Sequence, residues 1–159
     1  MNLKPIYPGK ALKFDKSLVL EKMNNIFGSA NVTIDELDLA IYSKDYQLIG
    51  TRWNMEGKTG GEPLCVVFPD NAQQISELLV FANEHSIPVI PFGEGSGVVG
   101  GATPIFGGII VDMKKFLKFE INKENLTVTV GVGMNGWTYE RLLNEQGYTM
   151  GHIPQSIRA

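Results

Sequence analysis

Apolar positions recur along this chain with two different periods, and the switches between them mark its elements. Residues 17–27 place Leu18, Leu20, Met23, Ile26 and Phe27 at helical spacing, with Ser17 at the start and Gly28 past the end, which predicts an amphipathic helix. Residues 33–42 repeat the pattern more weakly, with Ile34, Leu37 and Ile41 on one side and Asp35, Glu36 and Asp38 on the other. Residues 47–63, rich in glycine and polar side chains, read as a long loop. Residues 64–68 form a short apolar run ended by Pro69; Asp70 or Asn71 then caps a helix anchored by Ile75, Leu78, Leu79 and Ala82. Pro88 cannot continue that helix, so it stops near Ser86. Residues 89–92 are apolar again, and strand, helix and strand within this span predict a right-handed parallel crossover.

Further on, residues 108–113 give another apolar strand, and residues 116–121 and 126–132 read as two strands around Lys123, Glu124 and Asn125. The alternation Thr127, Val128, Thr129, Val130 fits a strand with one wet face. Asn135 offers a cap for a helix running to Gln146, with Trp137, Leu142 and Leu143 as anchors and Gly147 beyond. The order of elements predicts an α+β fold in two lobes: a small parallel βαβ lobe over about 60–92, then a mixed or antiparallel α+β lobe over about 93–159. A helical extension over 1–50 precedes the domain of 51–159. The last residues, 151–159, carry no charge run and no closing helix, so the end reads as cut.

With 159 residues, 43% of them hydrophobic, the chain is long enough for one domain with a real core. Fourteen Lys and Arg against 17 Asp and Glu give a net charge of −3 without a basic run, which argues against a nucleic-acid surface. Residues 1–14 lack the apolar core of a leader, and no apolar run is long enough to span a bilayer, so the expected location is cytoplasmic. Cys65 stands alone within an apolar run and reads as a small buried hydrophobe. His85 and His152 are far apart with no ligand-type spacing around them, so no metal is expected.

The densest chemical signal is Gly93, Gly95, Gly97, Gly100 and Gly101, directly after the strand at 89–92. Residues 95–100 match G-x-G-x-x-G, but Pro104, Gly107 and Gly108 lead into a strand where a dinucleotide fold of that kind needs a helix. A phosphate loop of the Gly-Lys-Ser/Thr type is absent. Two readings remain: an anion-binding nest of backbone amides with the Ser96 hydroxyl added, or a tight glycine-rich turn. More glycines than turn geometry uses favour the nest. Glu94 opposes it unless its side chain turns away.

The stretch "IPVIPFGEGSGVVGGATPIFGGIIVDM" resembles the diphosphate-binding segment of FAD-linked flavoenzymes of the vanillyl-alcohol oxidase and para-cresol methylhydroxylase type. The resemblance extends back through "VVFPDNAQQISELLVFANEHS" and forward through "VTVGVGMNGWTYERLLNEQGYTMGHIPQS", covering residues 64–156, and more weakly over 38–45. The ending at 151–156 is most similar to the alkyldihydroxyacetonephosphate synthase branch; the glycolate and D-lactate dehydrogenase branch is similar too.

The resemblance implies that Pro91, Phe92, Gly93, Glu94, Gly95, Ser96, Gly97 and Val98 wrap the FAD diphosphate. It also places Pro154, Gln155 and Ser156 beside the flavin or its ribityl chain. Glu94 replaces the middle glycine of the family's triplet, and Ser96 stands where covalently flavinylated relatives carry His, so FAD is expected to be held noncovalently. Family members continue past the Pro-x-Ser segment, so 51–159 reads as an incomplete FAD-binding domain and the chain as part of a flavin-dependent oxidoreductase. A second chain supplying the remainder is the expected partner. The alternative is a noncatalytic or relic nucleotide-binding fragment that needs that second chain to complete its sheet. No catalytic residue is assigned: His152 reads at least as well as a structural group beside the loop, Arg158 reads as a surface residue, and Trp137 and Trp53 read as helix packing and loop anchoring.

Overall fold

The computed structural model describes residues 4–5 and 15–158; the leader-free reading of 1–14 otherwise lies outside the described residues. Helix α1 (Lys16–Phe27) begins at Asp15, whose carboxylate accepts from the Ser17 amide, so the cap is Asp15 and not the serine the sequence offered. Val19, Met23 and Phe27 form its buried face. A 3-10 turn (Ser29–Asn31) leads into β2 (Val32–Thr33), and Asp35 caps the short α2 (Glu36–Ile41). The stripe expected on α2 is turned outward: Ile34, Leu37 and Ile41 are exposed, because Leu39 and Tyr42, three residues apart, face the sheet instead.

The 47–63 stretch is not a long loop. It contains helix α3 (Leu48–Met55) and the two-residue β3 (Lys58–Thr59), which pairs in parallel with β1 (Lys4–Pro5). The helix was hidden because its apolar residues Leu48, Ile49 and Met55 are exposed and form no core stripe, and because Gly50 sits within it.

Strand β4 (Cys65–Val67), helix α4 (Ala72–His85) and strand β5 (Val89–Phe92) follow as expected, with Asn71 capping α4 and Ser86 left-handed at its end. The crossover skips a position, however. Strand β6 (Ile109–Asp112), which comes after the glycines, lies between β4 and β5 and is parallel to both, giving the order β2-β4-β6-β5 with β2 antiparallel. Alternate residues of this sheet serve two cores. Cys65, Val67, Ile109 and Val111 pack beneath α1 and α4 with Met23, Leu78 and Phe81. Val66, Ile110 and Phe92 face the other way, against Tyr42. Met23 and Leu78 are fully buried, and such side chains stabilise a fold by about 1.5–3 kcal/mol each. The Cys65 thiol belongs to the first core, where burial pushes it up to about 12.

Strands β7 (Phe119–Asn122) and β8 (Thr127–Val130) form a separate antiparallel pair. Helix α5 (Gly136–Glu145) follows, capped by Asn135 as the sequence predicts. Leu143 is buried, whereas Trp137 is 44% exposed and is covered by Arg158, whose guanidinium carbon lies 4.3 Å from its ring. Among the described residues no helix is long and apolar enough to cross a membrane.

Candidate functional site

Parallel sheets of this type gather ligands outside the carboxyl ends of their strands. At that edge Phe92, the last residue of β5, is the register partner of Asp112, the last of β6. The ladder closes with the Met113 amide donating to the Phe92 carbonyl at 2.8 Å. From there the chain leaves the sheet into residues 93–101.

Asp112 is 1% exposed, so its charge needs compensation. The Tyr42 hydroxyl donates to Oδ2, the Lys114 ammonium lies 2.5 Å from the same oxygen, and the Lys114 amide donates to Oδ1 at 2.8 Å. Burial, and then the Asp112 carboxylate, hold the Tyr42 phenol far above its ordinary value, with Asp38 and Glu94 adding to the effect. Lys114 also donates to the Gly93 carbonyl at 3.1 Å and lies over the rings of Tyr42 and Phe92, at 5.2 and 5.5 Å. One buried carboxylate is thereby linked to the first residue of the glycine loop.

A second support comes from the segment before α3. The Tyr46 amide donates to the Gly95 carbonyl at 2.9 Å. Asp45, 4% exposed, accepts from the Gln47 amide through Oδ1, while Oδ2 is buried with no hydrogen-bond partner among the described residues. A Cβ added at Gly97 would lie 3.2 Å from that Oδ2, and one at Gly100 would lie 2.7 Å from the Gln47 Oε1.

These contacts divide the glycines by cause. Gly95 has φ +65° with the Phe92 ring beneath it, so both backbone and space demand glycine there. Gly97 and Gly100 admit the close approach of Asp45 and Gln47. Gly93 and Gly101 are outside the left-handed region, and a Cβ on either would meet nothing within 4 Å. The fold does not explain those two.

A cleft of about 450 Å3 lies beside the loop, lined by Tyr42, Lys44, Tyr46, Glu94 and Lys114 among others. Glu94 thus shares a wall with two lysines, on the side from which Lys114 and Tyr46 hold the loop. Of the other sequence candidates, Pro91 is exposed at the edge of β5, Phe92 is buried under the loop, and Ser96 and Val98 stand on the loop itself. Pro154, Gln155 and Ser156 are exposed in a turn closed by the Ile157 amide on the Pro154 carbonyl, and the turn is fastened to α5 by the Trp137 amide donating to Ile157 at 2.8 Å. Glu140 holds the approach to that turn, accepting from Thr149 Oγ1 at 2.6 Å and the Met150 amide at 3.0 Å. Those hydrogen bonds, the Met150 amide first, hold its carboxyl below the usual range. His152 is exposed, whereas His85 packs on Phe81 at the end of α4.

Tyr42, Asp45, Tyr46, Asp112 and Lys114 are the residues gathered around the glycine loop that sequence reasoning missed. Only Asp112 carried a local signal, an acid ending the apolar run Ile109–Asp112.

Residues 63–159 match the family described as FAD binding domain. The chain is 40% identical over 73 residues to a D-lactate dehydrogenase of Archaeoglobus fulgidus, covering 46% of this chain and 16% of that protein. It is 33% identical over 97 residues to glycolate oxidase subunit GlcD of Bacillus subtilis, covering 60% and 21%. A solved alkyldihydroxyacetonephosphate synthase superposes with a TM-score of 0.80 at 24% identity, over 92% of this chain and 30% of that one, a likeness of fold. The matches therefore span only about a fifth of the length of these curated relatives, 16% and 21%. On the match over residues 63–159, this chain belongs to the FAD-binding domain family.

Proposed function

We propose that residues 91–98 hold the diphosphate of FAD and that the chain is the cofactor-holding portion of a flavin-dependent oxidoreductase. The observation that carries the reading is Gly93: neither its φ nor its packing requires glycine, and the space a side chain would take lies open. Close approach of another molecule to the backbone is the remaining physical use for a missing Cβ. The residues present fit a diphosphate, since the loop combines exposed backbone with the Ser96 hydroxyl and keeps Glu94 on the wall shared with Lys44 and Lys114.

FAD supplies the electron-accepting ring when bound; the chain binds and orients it. Attachment is noncovalent in this reading, because residues 91–101 contain no His or Cys and Cys65 is buried on the opposite face of the sheet. Pro154, Gln155 and Ser156 are the residues assigned to the flavin side, on a turn anchored to α5. The curated relatives point to oxidation of a 2-hydroxy acid, and the fold likeness to the synthase's chemistry; both remain proposals for the complete protein. A second chain or segment beside β7–β8 is part of the proposal, supported by the pairing of those strands only with each other among the described residues and by the exposure of Val130 and Val132.

Titration of FAD into the chain, followed by flavin fluorescence and repeated with ADP as competitor, tests the reading. Saturable binding displaced by ADP is expected, with all flavin released on acid denaturation. Absence of ADP-competable binding overturns the diphosphate assignment, and flavin retained on the denatured chain overturns noncovalent attachment.

A further inference from the structure

We propose that Lys114, held by Asp112, is a positioning residue for the anion site: by fixing the Gly93 carbonyl it presents the Glu94 amide to the diphosphate, beside the Ser96 amide that the Tyr46 bond presents. The inference rests on the reading of the glycine loop given above. In a trans peptide the C=O and the following N–H point in opposite directions. Lys114 Nζ holds the Gly93 carbonyl at 3.1 Å, which turns the Glu94 N–H away from Lys114. The Tyr46 amide holds the Gly95 carbonyl at 2.9 Å, which turns the Ser96 N–H away from Tyr46.

Lys114 and Tyr46 both line the cleft. The two amides therefore face the opposite side of the loop, and the cleft lies behind the anion site. The parallel ladder ends at Met113, so the Glu94 amide is outside it, and among the described residues neither amide donates a hydrogen bond. Two outward donors two residues apart form the kind of backbone concavity that binds phosphate oxygens.

Lys114 is well placed to hold this geometry. Its ammonium is confined by the 1% exposed Asp112, which Tyr42 fixes from the α2 side, so the Gly93 carbonyl meets a charge-assisted donor whose position the core determines. Tyr46 makes its bond through the backbone and cannot be removed by a side-chain change. Lys114 is thus the side chain through which the site can be tested.

The test compares the parent chain with Lys114→Met and Lys114→Arg, using ADP and adenosine as probes and the 15N amide resonances of Glu94 and Ser96 as reporters. Lys114→Met is expected to move both resonances before any ligand is added and to weaken ADP about tenfold, the loss of one hydrogen bond to a charged group. Adenosine, which has no phosphate, is expected to bind each chain alike, and Lys114→Arg to recover most of the ADP affinity. If Lys114→Met stays folded by circular dichroism but leaves the two resonances unmoved, the positioning role is overturned; with weaker ADP binding, Lys114 would then contact the phosphate itself. If Lys114→Met unfolds, Lys114→Gln takes its place: displacement of the Glu94 and Ser96 resonances supports the role, and unchanged shifts overturn it. Failure of the parent chain to bind ADP overturns instead the diphosphate reading on which the inference rests.

Discussion

The amide of Tyr46 donates to the carbonyl of Gly95 at 2.9 Å, fastening the segment between α2 and α3 beneath the glycine loop. The loop is consequently held at two points on the cleft side, at Gly95 by this segment and at Gly93 by Lys114 on Asp112. A loop held this way keeps its shape before a ligand arrives, which lowers the ordering cost of binding.

Gly95 and Gly93 are expected to separate stability from binding. Gly95→Ala places a Cβ 2.7 Å from the Phe92 ring at φ +65°, and a loss of about 1–3 kcal/mol is expected in urea denaturation. Gly93→Ala is expected to stay within about 0.5 kcal/mol of the parent while weakening ADP. The reverse pattern would mean that Gly93 serves the fold.

Tyr42 ties folding to alkaline pH. Its phenol is raised in the folded chain by burial and by Asp112, so its contribution is complete below the ordinary phenol value of about 10 and is lost as pH rises beyond it. Tyr42→Phe leaves the Asp112 carboxylate short of a donor and is expected to cost about 1–3 kcal/mol near neutrality. Denaturation curves at rising pH should fall less steeply for Tyr42→Phe than for the parent; equal slopes would contradict the assignment.

Glu140 gives the opposite sign. Its carboxyl is lowered in the folded chain by the Met150 amide, Thr149 and Asn144, so its contribution is present above the ordinary value of about 4.3 and is lost as pH falls through the lower folded value. Hydrogen exchange of the Met150 amide should accelerate in Glu140→Gln relative to the parent at the same neutral pH. Unchanged exchange would show that the 149–158 turn is held without it.

Local pattern made α1, α4 and α5 legible: Met23, Leu78 and Leu143 lie on buried faces, and Asn71 and Asn135 cap as their residue types predict. It failed for α3, whose apolar residues face outward around Gly50, where a Cβ would be 3.4 Å from the Lys44 side chain. It also failed for the stripe on α2, because the sheet beneath it receives Leu39 and Tyr42. The glycine cluster pointed to the proposed site, yet its supports were illegible. Lys114 reaches Gly93 because β6 pairs with β5, and Tyr46 reaches Gly95 from the segment between α2 and α3, contacts between residues far apart in sequence that no local pattern reveals.

The central claim, that the glycine loop is the diphosphate site, is tested most directly by titrating ADP into the 15N-labelled chain and mapping the amide shifts. The account predicts saturable displacement centred on Gly93, Glu94, Gly95, Ser96 and Gly97. Saturable displacement centred instead on Ile41, Lys44 and Thr51 in the cleft, or no displacement at all, would contradict it.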